Sequence, residues 1–164
     1  MRGAMEPHIV ELTNGDLLMT LRTQLGAVFR SRSTDGGVTW SLAQTTGLKA
    51  PESMPCLTKI PQTGDLLLIY NNSQYQPNYD HYGKRTPLTS AISRDEGETW
   101  ENFKNIETDP EFEFTNPHCF YLRNDRVLIA YETSRMKNPD PPGAFGRERM
   151  HMKAAMTDVD WFYS

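Results

Sequence analysis

Two carboxylates stand in the same eight-residue setting 60 residues apart. Asp35 lies in Ser33-Thr34-Asp35-Gly36-Gly37-Val38-Thr39-Trp40 and Asp95 in Ser93-Arg94-Asp95-Glu96-Gly97-Glu98-Thr99-Trp100, with five of eight positions identical. Carboxylates can do acid–base chemistry, but this setting predicts a structural task. An Asp in a tight turn accepts hydrogen bonds from backbone N–H groups that the turn leaves unpaired. Gly37 and Gly97 supply permissive backbone, and each Trp offers a large apolar face. Asp35 and Asp95 are therefore read as hairpin staples rather than catalysts. Cys56 and Cys119 form neither a CxxC pair nor a disulfide framework, and His118 beside Cys119 has no further ligands, so no metal site is read. A polar, aromatic tract at residues 73–84 carries Tyr75, Tyr79, His81 and Tyr82. Aromatic faces stack on sugars and long loops often carry function, yet the tract reads equally as a surface loop. Asn71-Asn72-Ser73 is an N-x-S sequon, which matters only in a secreted protein. Asn138-Pro139-Asp140-Pro141-Pro142-Gly143 reads as a rigid, extended loop without assignable chemistry.

The elements that must position these groups are strands. Tryptophans at 40, 100 and 161 give a period of 60 and then 61 residues, with Thr157-Asp158-Val159-Asp160-Trp161 as a frayed third copy. A hairpin keeps the same rhythm. Residues 9–12 and 16–19 flank Asn14-Gly15, residues 57–60 and 65–70 flank Gln62-Thr63-Gly64, and residues 120–122 and 127–131 flank Asn124-Asp125. Gly, Asn and Asp tolerate the positive φ such turns need. Third strands are predicted over 27–33, 88–93 and 150–156, with a fourth after each of the first two tryptophans. No segment holds a capped 3.6-residue period, so long helices are not expected. Three such modules, over about 1–50, 51–110 and 111–164, predict an all-β fold of propeller blades.

Composition agrees. The 164-residue chain carries 17 basic and 21 acidic residues, a net charge of −4. A pI near 5.6 with interspersed charge argues against nucleic-acid binding through a basic face. Mean hydropathy is −0.63, and no apolar run approaches the ~18–20 residues of a membrane span. The apolar stretch at 9–12 is too short for a signal peptide, so the compartment is unknown, with the cytoplasm as the default expectation. Eleven Gly, eleven Pro and seventeen aromatics suit a turn-rich β protein.

Ser-x-Asp-x-Gly-x-Thr-Trp resembles the Asp-box, or BNR repeat, of sialidases (neuraminidases) and related six-bladed β-propellers. The resemblance extends through Glu6-Pro7, Val10-Glu11-Leu12, Asn14-Gly15-Asp16-Leu17-Leu18 and Leu21-Arg22, then residues 61–72 and 158–163, all similar to the C-terminal half of such proteins. Six blades need roughly 300–400 residues, so the resemblance implies half a ring with an open flank. It begins abruptly at a fourth blade. Met1 is therefore expected not to be the native start, and the chain to be the C-terminal half of a longer protein or a truncated product, with self-association through the open flank as the rarer alternative.

The resemblance also assigns residues. The family grips a sugar carboxylate with three arginines, for which the always-charged, bidentate guanidinium is suited. Arg22 matches the second and Arg85 the third, while the first belongs to the absent half. The family's nucleophile is a tyrosine, an exception among glycosidases. A neutral phenol avoids repulsion from the substrate carboxylate, and an adjacent Glu takes its proton. Glu6 matches that Glu. The tyrosine itself is missing from residues 112–118: Phe114 stands closest to its position, Asn116 second, and His118 or Glu113 could reach into the pocket as a surrogate. Asn71 would close its strand at the pocket side and meet sugar hydroxyls. The acid/base Asp belongs to the absent half. Against these roles stand plain ones: Arg22 and Arg85 as salt-bridge residues, Glu6 as an exposed charge near a terminus. The expectation is a fragment of a sialidase-like glycoside hydrolase of exo-sialidase type that recognises a sialic-acid-like sugar, inactive alone and needing no cofactor. A non-catalytic glycan-binding propeller is the alternative, and a truncated, poorly folded product the third. Neither nucleic acid nor membrane is an expected partner.

Overall fold

The computed structural model describes residues 3–137 and 146–164, so the loop at 138–143 lies outside the described residues. The strands form three antiparallel sheets. The first orders β1 (Met5–Glu11), β2 (Leu17–Arg22), β3 (Ala27–Ser33) and β4 (Gln44–Lys49) in sequence. The second repeats this with β5 (Cys56–Lys59), β6 (Leu66–Asn71), β7 (Leu88–Ser93) and β8 (Glu101–Glu107). In the third, β10 (Arg126–Lys137) pairs with β9 (Phe112–Tyr121), β12 (His151–Asp158) and the two-residue β11 (Gly146–Arg147). Helical structure among the described residues is confined to 3-10 turns at Asp80–Tyr82 and Val159–Phe162.

The sheets pack face to face as blades, with the first strands β1, β5 and β9 side by side. Val10, Leu18 and Val28 of the first sheet meet Leu57, Leu66, Leu68 and Ala91 of the second. Leu67, Ile69, Leu88 and Ile92 on its other face meet Phe114, Val127, Ile129 and Tyr131 of the third. Covering on both faces explains why β6 reads Leu-Leu-Leu-Ile-Tyr-Asn without polar alternation. The outer face of the third sheet is open. Register places Phe120, Leu128 and Met156 in one cross-strand row, and Phe120 and Met156 are about half exposed.

Both Asp-boxes are hairpins between third and fourth strands, stapled as the sequence predicts. Ser33 Oγ donates to Asp35 Oδ1 (2.8 Å) and accepts from Gly37 N–H (2.9 Å), while Thr39 N–H donates to Asp35 (2.9 Å). Ser93, Asp95, Gly97 and Thr99 repeat these bonds. Hydrogen bonds from Thr39, aided by Ser33, lower the Asp35 carboxyl to about 2. The second box also joins two blades: Arg30 donates to Gly97 O, and Arg32 Nη2 to Glu96 O at 3.2 Å.

The third module departs from expectation twice. Residues 157–161 form no stapled hairpin. β12 runs to Asp158, and a 3-10 turn follows that buries Val159 and Phe162 against the second sheet. The first strand of this module begins at Phe112, not Phe120. Asn116-Pro117 is a bulge within β9, with Asn116 at φ 52°.

Candidate functional site

Glu6, Arg22 and Arg85, distant in sequence, lie around one buried cluster. Arg22 ends β2 with its side chain pointed between the first two sheets and 9% exposed. Glu6 sits on the neighbouring β1, at a register irregularity between Met5 and His8 and with a φ of 48°. Both carboxylate oxygens reach Arg22 Nη1, at 3.1 and 3.0 Å. The other terminal nitrogen of Arg22 lies 3.2 Å from His81 Nδ1 and 3.7 Å from Glu52 Oε2. Arg85, 5% exposed on the run into β7, donates Nη2 to the backbone oxygen of Glu52 at 3.0 Å. The contacts assemble two guanidinium groups, two carboxylates and an imidazole.

The sequence reading did not single out Glu52 and carried His81 only as part of an aromatic tract. His81 reaches the cluster from the 3-10 turn at 80–82, whose loop also stacks Tyr75 on Tyr82 (ring centroids 5.5 Å apart, 11° between planes). Burial is the main cause that holds the His81 imidazole below its ordinary value, and the Arg85 charge adds to it. A neutral imidazole accepts from Arg22 at Nδ1.

Asn71 stands elsewhere. It is fully buried, and its amide donates to the backbone oxygens of Arg85 and Phe114, both at 2.9 Å. Both amide hydrogens are thus engaged in tying the Arg85 segment to β9. Donation from Asn71 to a sugar hydroxyl has no hydrogen left for it, and the side chain is enclosed. Phe114 is 2% exposed and packs edge-on against Tyr131 in the seam between the second and third sheets. Glu113 is buried, and Asn116 donates to Glu132 at 2.9 Å. His118 lies on β9 with its ring centroid 6.0 Å from that of His8. Among the described residues, no group of three or more His, Cys, Asp or Glu side chains could hold a metal ion, and no helix is long and apolar enough to cross a membrane.

Comparison with known proteins places this geometry in context. The sequence profile of the BNR repeat-like domain matches residues 1–129. A sialidase of Vibrio cholerae is 30% identical, over 58% of this chain and 14% of that protein. Among solved structures, an α-L-arabinanase of Penicillium chrysogenum complexed with arabinobiose superimposes with a TM-score of 0.63 at 22% identity, over 94% of this chain and 46% of that one. The leech intramolecular trans-sialidase gives a TM-score of 0.67 at 18% identity, over 97% of this chain and 24% of that one. The intramolecular trans-sialidase of Ruminococcus gnavus gives 0.67 at 18%, over 98% and 33%. This chain therefore spans less than half the length of each of these proteins.

Proposed function

Because this chain belongs to the BNR repeat-like family, whose matched relatives include sialidases and related glycosidases, we propose that it forms part of a glycan site that takes an acidic sugar by its carboxylate. Arg22 and Arg85 would supply the cationic grip, and Glu6 the adjoining carboxylate. The observation that carries this reading is the Glu6–Arg22 pair: a side-chain carboxylate already lies with both oxygens on Arg22 Nη1. A sugar carboxylate of the same geometry can take or share that position. Other blades, from a longer chain or a second copy, would supply the first arginine and the acid/base aspartate implied by the family resemblance. The test is the affinity of the protein for N-acetylneuraminic acid. Arg22→Lys keeps the charge but loses the planar fork, and is expected to weaken binding about tenfold or more. Unchanged affinity in the folded variant would overturn the role.

A second reading, a glycan-binding propeller without catalysis, is favoured by Phe114. The residue nearest the family's tyrosine position has no oxygen, and its ring is enclosed. Turnover of a fluorogenic sialoside by the protein, lost in Glu6→Gln, would eliminate this second reading.

A further inference from the structure

Glu52 touches all three of the other buried or half-buried basic groups of the cluster. It lies in the connection between β4 and β5, and its carboxylate is wholly enclosed. Oε2 is 3.3 Å from His81 Nδ1 and 3.7 Å from Arg22 Nη2. The main chain of the same residue serves the others: its N–H donates to His81 O at 2.7 Å, and its carbonyl accepts from Arg85 Nη2 at 3.0 Å. Enclosing a carboxylate is costly unless a charged partner faces it, and here Arg22 does so. The backbone bond bears on conformation as well. His81 and Tyr82 stand at φ 51° and 55°, a left-handed turn that bulky residues rarely adopt without surrounding restraint. The Glu52 N–H closes on that turn. Each remaining member is anchored at one place, Arg22 on β2, Arg85 before β7 and His81 on the loop, and Glu52 joins the three.

We propose that Glu52 is the positioning residue of this site: it sets the spacing of Arg22, Arg85 and His81 without itself contacting the sugar. The inference rests on the reading that these arginines bind an acidic sugar, but its geometry can be tested without one. The charged groups that face His81 are Arg22 of β2, with Glu6 of β1 on the far side of that guanidinium, Glu52, Asp80 and Arg85. Of these, Asp80 and Glu52 favour the imidazolium, and the two arginines oppose it.

The experiment compares the protein with its Glu52→Gln variant in two measurements. One is the NMR titration of the His81 ring and the Arg22 Nε–H resonance without ligand. The other is calorimetric binding of N-acetylneuraminic acid between pH 5 and 8. Loss of the carboxylate is expected to move the His81 midpoint down by about half a unit or more, to shift the Arg22 resonance, and to weaken sugar binding about tenfold. An unchanged midpoint and Arg22 resonance would overturn the proposal. A moved midpoint with wild-type affinity at every pH would also overturn it, since Glu52 would then touch its neighbours without placing them. Failure of the unaltered protein to bind the sugar would overturn the acidic-sugar reading alone, and the two resonances would still decide the role of Glu52. Should Glu52→Gln not fold, Glu52→Asp keeps the charge and withdraws it by one methylene. A displaced Arg22 resonance supports the proposal in that variant, and wild-type resonances overturn it.

Discussion

Glu6 and Arg22 lie 16 residues apart and face each other across the β1–β2 pair, with both carboxylate oxygens on one guanidinium nitrogen. The two ends of this contact differ in environment: the Glu6 side chain is 40% exposed and that of Arg22 9%. Removing each should therefore have unequal cost. Glu6→Gln deletes a half-exposed charge and is expected to change stability by about 1 kcal/mol or less. Arg22→Ala leaves the enclosed Glu52 carboxylate without its guanidinium and is expected to cost about 3 kcal/mol. Urea denaturation of the two variants measures the difference.

Phe114→Tyr would put a phenol at the position that the family resemblance implies for the nucleophile. The ring lies in the seam between sheets, against Tyr131, so the new hydroxyl is expected to be enclosed and to cost about 1–2 kcal/mol. No sialoside turnover is expected to accompany it. A fluorogenic assay alongside thermal denaturation checks both parts.

Gly36 and Gly97 occupy the fourth and fifth positions of their respective Asp-boxes. Both have positive φ, 71° and 87°, so alanine is strained at either. A Cβ on Gly36 meets nothing within 4 Å, whereas one on Gly97 comes 2.5 Å from Leu18 Cδ2 across the blade seam. Gly36→Ala is expected to cost about 1 kcal/mol. Gly97→Ala adds overpacking and should exceed it by about 1–3 kcal/mol. Denaturation midpoints rank them.

Acidification should weaken the fold in two stages. His8, lowered by burial and then by the charge of His118, and His81, lowered by burial and then by Arg85, both titrate below their ordinary value of 6.5. The unfolded chain then takes up these protons first. Stability is full above that value and declines as pH falls below it, until the folded histidines are also protonated. Asp35 acts lower down: with its carboxyl held at about 2 against an ordinary 3.8, its contribution is present above 3.8 and lost as pH falls towards 2. Urea midpoints between pH 8 and 2 should show both declines, and His81→Gln should reduce the first.

The strands were legible wherever local chemistry marks them. Asn14-Gly15 and Gln62-Thr63-Gly64 sit where a hairpin needs positive φ, and the Asp-boxes close the next turns, so β2, β3, β6 and β7 could be placed closely. The start of β9 could not, because Asn116-Pro117 carries the residue types of a turn while forming a bulge in mid-strand. Glu6, Arg22 and Arg85 came forward through motif resemblance. The burial of Asn71 was not legible, because its place at a strand end does not reveal that two backbone carbonyls already claim its amide. Glu52 lies between Pro51 and Ser53 with no periodicity around it. His81 enters the cluster through a left-handed turn without glycine at that position, which no local signal predicts.

The middle sheet has a neighbour on each face, and every residue of β6 and β7 is buried. Solvent can reach the backbone amides of these strands only when both outer sheets have come away. Their deuterium uptake should therefore be the slowest in the molecule, at the rate of complete opening. The mostly exposed outer strands β4 and β12 should exchange far earlier through local fraying. The central blade would then act as the kinetic keystone of the three sheets, the last part to lose protection and the first to regain it.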